Sequence, residues 1–267
     1  MKTLCFLLIG ILLYFPLKML IADYYHSRVA YILDDKSTEY LDTKEISGDT
    51  ISDYNDAINS LKKASAVVPS KSIYHKGLSD IYSMLGRWAE SMDAVAEPLP
   101  AGAVSAKEAF EISAGHLKKA VYLEPVNPDY HLALGKLYDR NNRDAGLAEK
   151  EFAKAVAAAP VNAALRYAIA MHYLLTGRKG EALEQARILA KLDDSYQTPP
   201  EDIRRKARSE KMAPAYLSRL YNSYLFGALE LAWRISKDKE VIKGIAPDNP
   251  DAKMAVQLFF EWKGIEE

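Results

Sequence analysis

The stretch "LEPVNPDYHLALGKLY" (residues 123–138) decides the fold, because its punctuation returns in "IAPDNPDAKMAVQLFF" (245–260) and, loosely, in "AAPVNAALRYAIAMHY" (158–173). In the first, Asn127 offers a side-chain oxygen to the free N–H groups of a starting helix. Pro128 fits the first turn, where no N–H donor is needed, and Asp129 favours the positive end of the helix dipole. Asn249, Pro250 and Asp251 repeat the device. Each time the apolar run that follows has helical spacing. The chain is therefore restarting the first helix of a helix pair.

The runs between these starts carry the same period. Tyr54, Ala57, Ile58, Leu61, Ala64 and Val68 share one face of a helix that begins near Ser52 and stops at Pro69. Leu134, Gly135, Tyr138, Ala148, Phe152 and Ala155 precede Pro160, and Ala170, Tyr173, Gly177, Ala182, Ala186 and Leu189 follow it. Small residues such as Gly135, Ala148, Ala170 and Ala182 let two antiparallel helices approach, while Leu, Tyr and Phe fill the seam. Gly86 and Gly177 stand where a helix would end with positive φ, and Asn142 is a second-best residue for that role. Pro125 and Pro160 lie roughly one 34-residue helix-pair period apart.

These residues resemble the tetratricopeptide repeat family over about Ser52–Lys191. Two units match well, Pro128–Pro160 and Asn162–Leu192. A third, Lys71–Pro125, is interrupted by "EPLPAGAVSAKEAFEIS" (97–113), and the family's usual first Trp is absent from every unit. The resemblance implies an all-α solenoid of antiparallel helix pairs whose inner face, lined by the first helix of each pair, holds protein partners. Spacing nominates Lys76, Asp80 and Ser83 on the first such helix, Asp129, Leu132, Lys136 and Asp139 on the second, and Tyr167, Met171 and Leu174 on the third. The third set is apolar, either covered by the helix expected over Ala213–Ser236 or open as a groove. The family's clamp for a terminal carboxylate is not implied: Lys76 fits it, but Leu132, Ala133, Ala164 and Ala168 do not.

The leader "MKTLCFLLIGILLYFPLKMLIADYYHSR" has one charge between Leu4 and Ala22, at Lys18. Its length suits a transmembrane helix over residues 4–22, with Lys18 reaching for headgroups and Tyr14, Tyr24 and Tyr25 at an interface. A cleaved signal peptide and a buried core helix are the competing readings. The expected organisation is an anchor over 1–24, a linker or juxtamembrane helix over 25–51, repeats over 52–194 and a helical extension with a capping helix over 195–267. An anchor followed by such repeats resembles bacterial envelope-assembly proteins and the repeat tails of surface-polysaccharide ligases and polymerases. That resemblance implies a single-pass inner-membrane protein with its bulk in the periplasm, acting as a docking scaffold. The alternative is a permanent subunit of a larger membrane or surface-filament complex, its first helix buried in protein.

Chemistry finds little support. The 267-residue chain has a net charge of −1, against a dedicated nucleic-acid binder. Cys5 alone builds no disulfide or metal knuckle. The histidines at 26, 75, 116, 131 and 172 are scattered singly, and no phosphate-cradling loop or nucleophile elbow occurs. Asp34–Asp35 and Asp193–Asp194 read as solvated turn residues. The basic run "IRRKARSEK" (203–211) is a solvated face or a contact for acidic lipid or an anionic partner. Neither catalytic residues nor a cofactor, metal or small-molecule substrate is expected.

Overall fold

The computed structural model describes residues 14, 16–27, 29, 48–94, 99, 103–141, 144–192 and 224–265. They are helical, with no strand among them. In chain order the helices are α1 (16–27), α2 (Gly48–Val67), α3 (Ser72–Ala94), α4 (Ala106–Leu123), α5 (Pro128–Asn141) and α6 (Ala145–Ala158). After these come α7 (Ala163–Leu175), α8 (Lys179–Leu192), α9 (Tyr224–Ser236), α10 (Lys239–Ile245) and α11 (Pro250–Lys263). Contacts divide the chain into two compact units, Met1–Glu151 and Phe152–Glu267, the division falling within α6.

The asparagine punctuation works as the sequence implies. Asn127 Oδ1 accepts from the Asp129 N–H at 3.1 Å, Asn162 Oδ1 from Leu165 at 3.0 Å and Asn249 Oδ1 from Ala252 at 2.8 Å. Pro128 and Pro250 are the first residues of α5 and α11. Gly177, at φ 78°, ends α7, and the Arg178 N–H returns to the Tyr173 carbonyl at 2.8 Å, so the last turn closes on the left-handed residue. Gly135, Ala148, Ala170 and Ala182 are all buried, as close helix approach requires.

Gly86 differs from the expectation. It does not end a helix; α3 runs on to Ala94. A Cβ at position 86 would stand 2.7 Å from the Phe110 ring of α4, so this glycine serves helix packing rather than termination.

In the first unit, α3 and α4 form the most extensive pair. Buried Ser113 of α4 donates to the Ser79 carbonyl of α3 at 2.8 Å and meets the Ser79 hydroxyl at 2.9 Å. Small side chains, one bonding the opposite backbone and the two hydroxyls bonding each other, let the helices close without an orphaned hydroxyl. Leu61, Tyr74, Leu78 and Ile81 fill the seam with α2, and Leu117, Ala120, Tyr130 and Leu134 fill the one between α4 and α5.

The leader departs from the membrane reading. Residues 4–13 and 15 of the expected span lie outside the described residues. No helix among the described residues is long and apolar enough to cross a membrane. What is described of the leader packs on protein: Ala22 and Val29 are buried in a cluster with Tyr54, Leu61 and Tyr74. The Tyr74 hydroxyl donates to Asp23 Oδ1 at 3.2 Å, and burial, then Asp23, push the phenol up to about 12. Lys18, Asp23 and His26 fall within the same helix. The transmembrane helix, the membrane contact through residues 4–22 and the inner-membrane, periplasmic placement that depended on it are corrected accordingly.

In the second unit, α9 packs on α7 and α8, and α10 and α11 close the other side of the same core. Leu225, Ala228, Leu229, Ile242, Phe259 and Phe260 are buried together with Ala186 and Leu189. Trp262 meets Phe259 edge-on at 5.6 Å, and both pack on this core. The basic run 203–211, Asp34–Asp35, Asp193–Asp194, Asn142 and Cys5 lie outside the described residues.

Candidate functional site

Helices α3 and α5 run side by side in the first unit. At their starts, Ser72 of α3 meets the Tyr130 hydroxyl of α5 at 3.1 Å and also bonds Glu124, which Asn127 holds from the other side. These two hydrogen bonds keep the Glu124 carboxyl below the usual carboxylate range. Toward the other end of the two helices, Arg140 Nη2 of α5 reaches Glu90 of α3 at 2.5 Å. Contacts at both ends make the helices parallel neighbours and bring their side chains onto one surface.

The orientation of α5 is fixed by a buried pair. His131 Nδ1 lies 2.6 Å from Glu151 Oε2 of α6, and Nε2 lies 2.8 Å from the Pro125 carbonyl. A carbonyl oxygen only accepts, so Nε2 is the donor in the bond to Pro125. The pair ties α5 both to α6 and to the turn that precedes it. It belongs to support, not to the exposed surface.

Lys76 and Asp80, one helical turn apart, pair at 2.6 Å. Lys136 of α5 faces them, half-buried, and makes no ion pair with a described residue. Burial, and then the neighbouring Lys76 charge, lower its pKa from the ordinary lysine value. Arg87, three helical turns beyond Lys76, is exposed; desolvation and then Arg140 lower its pKa. Leu132, Asp139 and Ser83 are half-buried here, and Asp129 is exposed at the start of α5.

The structure thus brings Lys76, Asp80, Lys136 and their neighbours together within one unit. Arg87, Glu90 and Arg140 belong to the same surface but escaped nomination. Their signal was present: Lys76, Asp80, Ser83, Arg87 and Glu90 fall on one helical stripe, as do Lys136 and Arg140.

The third set sits in the second unit, where α9 lies over it. Tyr167, Met171 and Leu174 are half-buried against the core cluster that contains Leu225, Phe226 and Leu229. The Tyr167 ring lies 3.3 Å from where a Cβ on Gly227 would stand, so glycine permits the close approach of α9 to α7. No group of three or more His, Cys, Asp or Glu among the described residues could hold a metal ion.

A family model for the tetratricopeptide repeat matches residues 132–196. No curated protein matches the chain. Among solved structures, the chain is similar to a thermophilic tetratricopeptide protein of Thermus thermophilus at 25% identity, covering 59% of this chain and 72% of that one, with a TM-score of 0.43. It is similar to YrrB, a tetratricopeptide protein with an unusual peptide-binding site, at 16% identity over 73% and 84% of the two chains, with a TM-score of 0.38. A third similar structure is MamA, at 14% identity over 90% and 93%, with a TM-score of 0.37. The described residues are all-α and arranged as helix pairs, and residues 132–196 match the tetratricopeptide repeat model.

Proposed function

We propose that this protein is a scaffold that docks a protein partner on the surface formed by α3 and α5. One observation carries the reading: the Lys136 ammonium is half-buried beside a second cation, Lys76, whose own charge is matched by Asp80. A desolvated ammonium without a counter-ion is costly, and an incoming carboxylate relieves that cost in a way water cannot.

The test is a peptide-display selection against the full chain. Selected peptides should contain acidic residues and lose tenfold or more in affinity with Lys136→Glu combined with Arg87→Glu. Lys150→Glu, on the exposed side of α6, should leave affinity unchanged. Peptides that bind all three proteins equally would remove the α3–α5 surface from the account.

A second reading, permanent membership of a larger protein assembly, is favoured by α1. While Ala22 and Val29 turn into the first unit, Leu17, Leu20 and Tyr24 are each more than half exposed. Apolar side chains held outward along one helix suit burial by a neighbouring protein. A photo-crosslinking residue at position 20, followed by mass analysis of the products, separates the readings: a stoichiometric protein adduct supports assembly, and none supports docking alone.

A further inference from the structure

We infer that His75 of α3 and His116 of α4 form an acid-sensitive latch that holds the two helices of the principal pair together. Their Nδ1 atoms are 3.3 Å apart, with ring planes within 24° and centroids 5.5 Å apart. Each imidazole ring places its nitrogens little more than 1 Å from its centroid, so these two distances put the Nδ1 atoms between the rings, aimed at each other. The contact is an N–H···N hydrogen bond, in which one Nδ1 donates and the other must be unprotonated. A proton added to the acceptor Nδ1 leaves two N–H groups facing and turns the bond into a repulsion, whereas a proton on the donor ring enters at its Nε2.

The surroundings sharpen that response. Tyr82 of α3 lies parallel to the His116 ring, 12° between planes and centroids 6.1 Å apart, so the ring has no easy rotation away. The charged side chains that act on the two rings, among the described residues, are cationic: Lys119 of α4 on His75, and Lys62 of α2 on His116. No carboxylate is among these influences to stabilise an imidazolium. Burial first, then His75 and Lys62, hold His116 down to about 4, and burial, then Lys119, lower His75 as well. The two rings titrate as a coupled pair rather than singly.

The sign follows from linkage. Between the ordinary histidine value near 6.5 and the lowered folded value, the unfolded chain binds more protons than the folded one. Stability is therefore complete above about pH 6.5 and drains away as pH falls toward 4. The helix that loosens, α3, carries Lys76, Asp80 and Arg87, so acid would also disorganise the surface they share with α5. That last consequence rests on the docking reading; the latch itself does not.

The experiment compares thermal melts of the full chain and of His116→Phe between pH 7 and 5. Phenylalanine keeps the ring against Tyr82 and removes the proton site. The natural chain should lose on the order of 4 °C more than the variant over this range. Superimposable profiles would overturn the latch, whatever the fate of docking. Nitrogen NMR of the natural chain, which needs no variant to fold, gives an independent decision. At pH 7 one of the two Nδ1 atoms should be protonated and the other not, and both rings should titrate below 6.5. Two unprotonated Nδ1 atoms, or ordinary titration of both rings, would reject the proposal.

Discussion

The Phe110 ring of α4 occupies the space that a side chain at Gly86 of α3 would need, its nearest carbon standing 2.7 Å from the position of a Cβ. Phe110 is buried, with the Arg140 guanidinium over its face at 5.5 Å, so the ring cannot yield freely. Gly86→Ala should therefore destabilise the chain by about 1–2 kcal/mol. Overpacking costs roughly 1–3 kcal/mol, offset by up to about 1 kcal/mol of improved helix propensity. Urea denaturation checks the sign: a neutral or stabilising alanine would mean the ring has room. Adding Phe110→Leu should recover part of the loss through coupling of the two sites.

That glycine also shows what periodicity conveys and what it conceals. A Gly a few residues after a Tyr reads as a helix end at both Gly86 and Gly177, and nothing local separates them. Gly177 does end its helix, in the left-handed region, whereas Gly86 exists to admit a ring from another helix. The former function is written in its own neighbours; the latter depends on Phe110, 24 residues away in sequence. The caps at Asn127, Asn162 and Asn249 were legible for the same reason, since each acts on the helix it starts. The leader misled because apolar length alone fits both lipid and protein surroundings. The burial of Ala22 and the Asp23–Tyr74 bond are long-range facts. On the candidate site, the stripe through Lys76 and Asp80 was legible from spacing, but the Glu90–Arg140 bridge between α3 and α5 was not.

Gly177→Ala tests backbone strain free of packing, because nothing lies within 4 Å of its would-be Cβ. At φ 78° an alanine should cost about 1–2 kcal/mol. Gly177→Asn should cost less, since asparagine tolerates this region better. Equal stability of the alanine variant in denaturant titration would refute the left-handed assignment.

The capping asparagines make a graded prediction. Asn162→Ala and Asn249→Ala each remove the acceptor for one N–H at a helix start, for a loss of about 1 kcal/mol. Serine in their place should restore most of it. Alanine and serine variants that unfold at the same denaturant concentration would mean that the cap contributes nothing.

For His131 and Glu151 the expected effect is larger, because both side chains are buried and removing one breaks a buried charged pair. His131→Ala should cost on the order of 3–5 kcal/mol. By contrast, Glu90→Ala breaks an ion pair whose side chains are both more than 40% exposed and should change stability by less than about 1 kcal/mol. Unfolding curves for the two variants should differ several-fold in the loss they report; comparable losses would remove the distinction drawn between support and surface.

The most direct measurement for the docking account is amide hydrogen exchange of the full chain with and without a peptide recovered by selection. Slowed exchange is expected in fragments covering Ser72–Ala94 and Pro128–Asn141, with Lys179–Leu192 unchanged. Protection confined to other helices, with α3 and α5 exchanging as in the free protein, would contradict it.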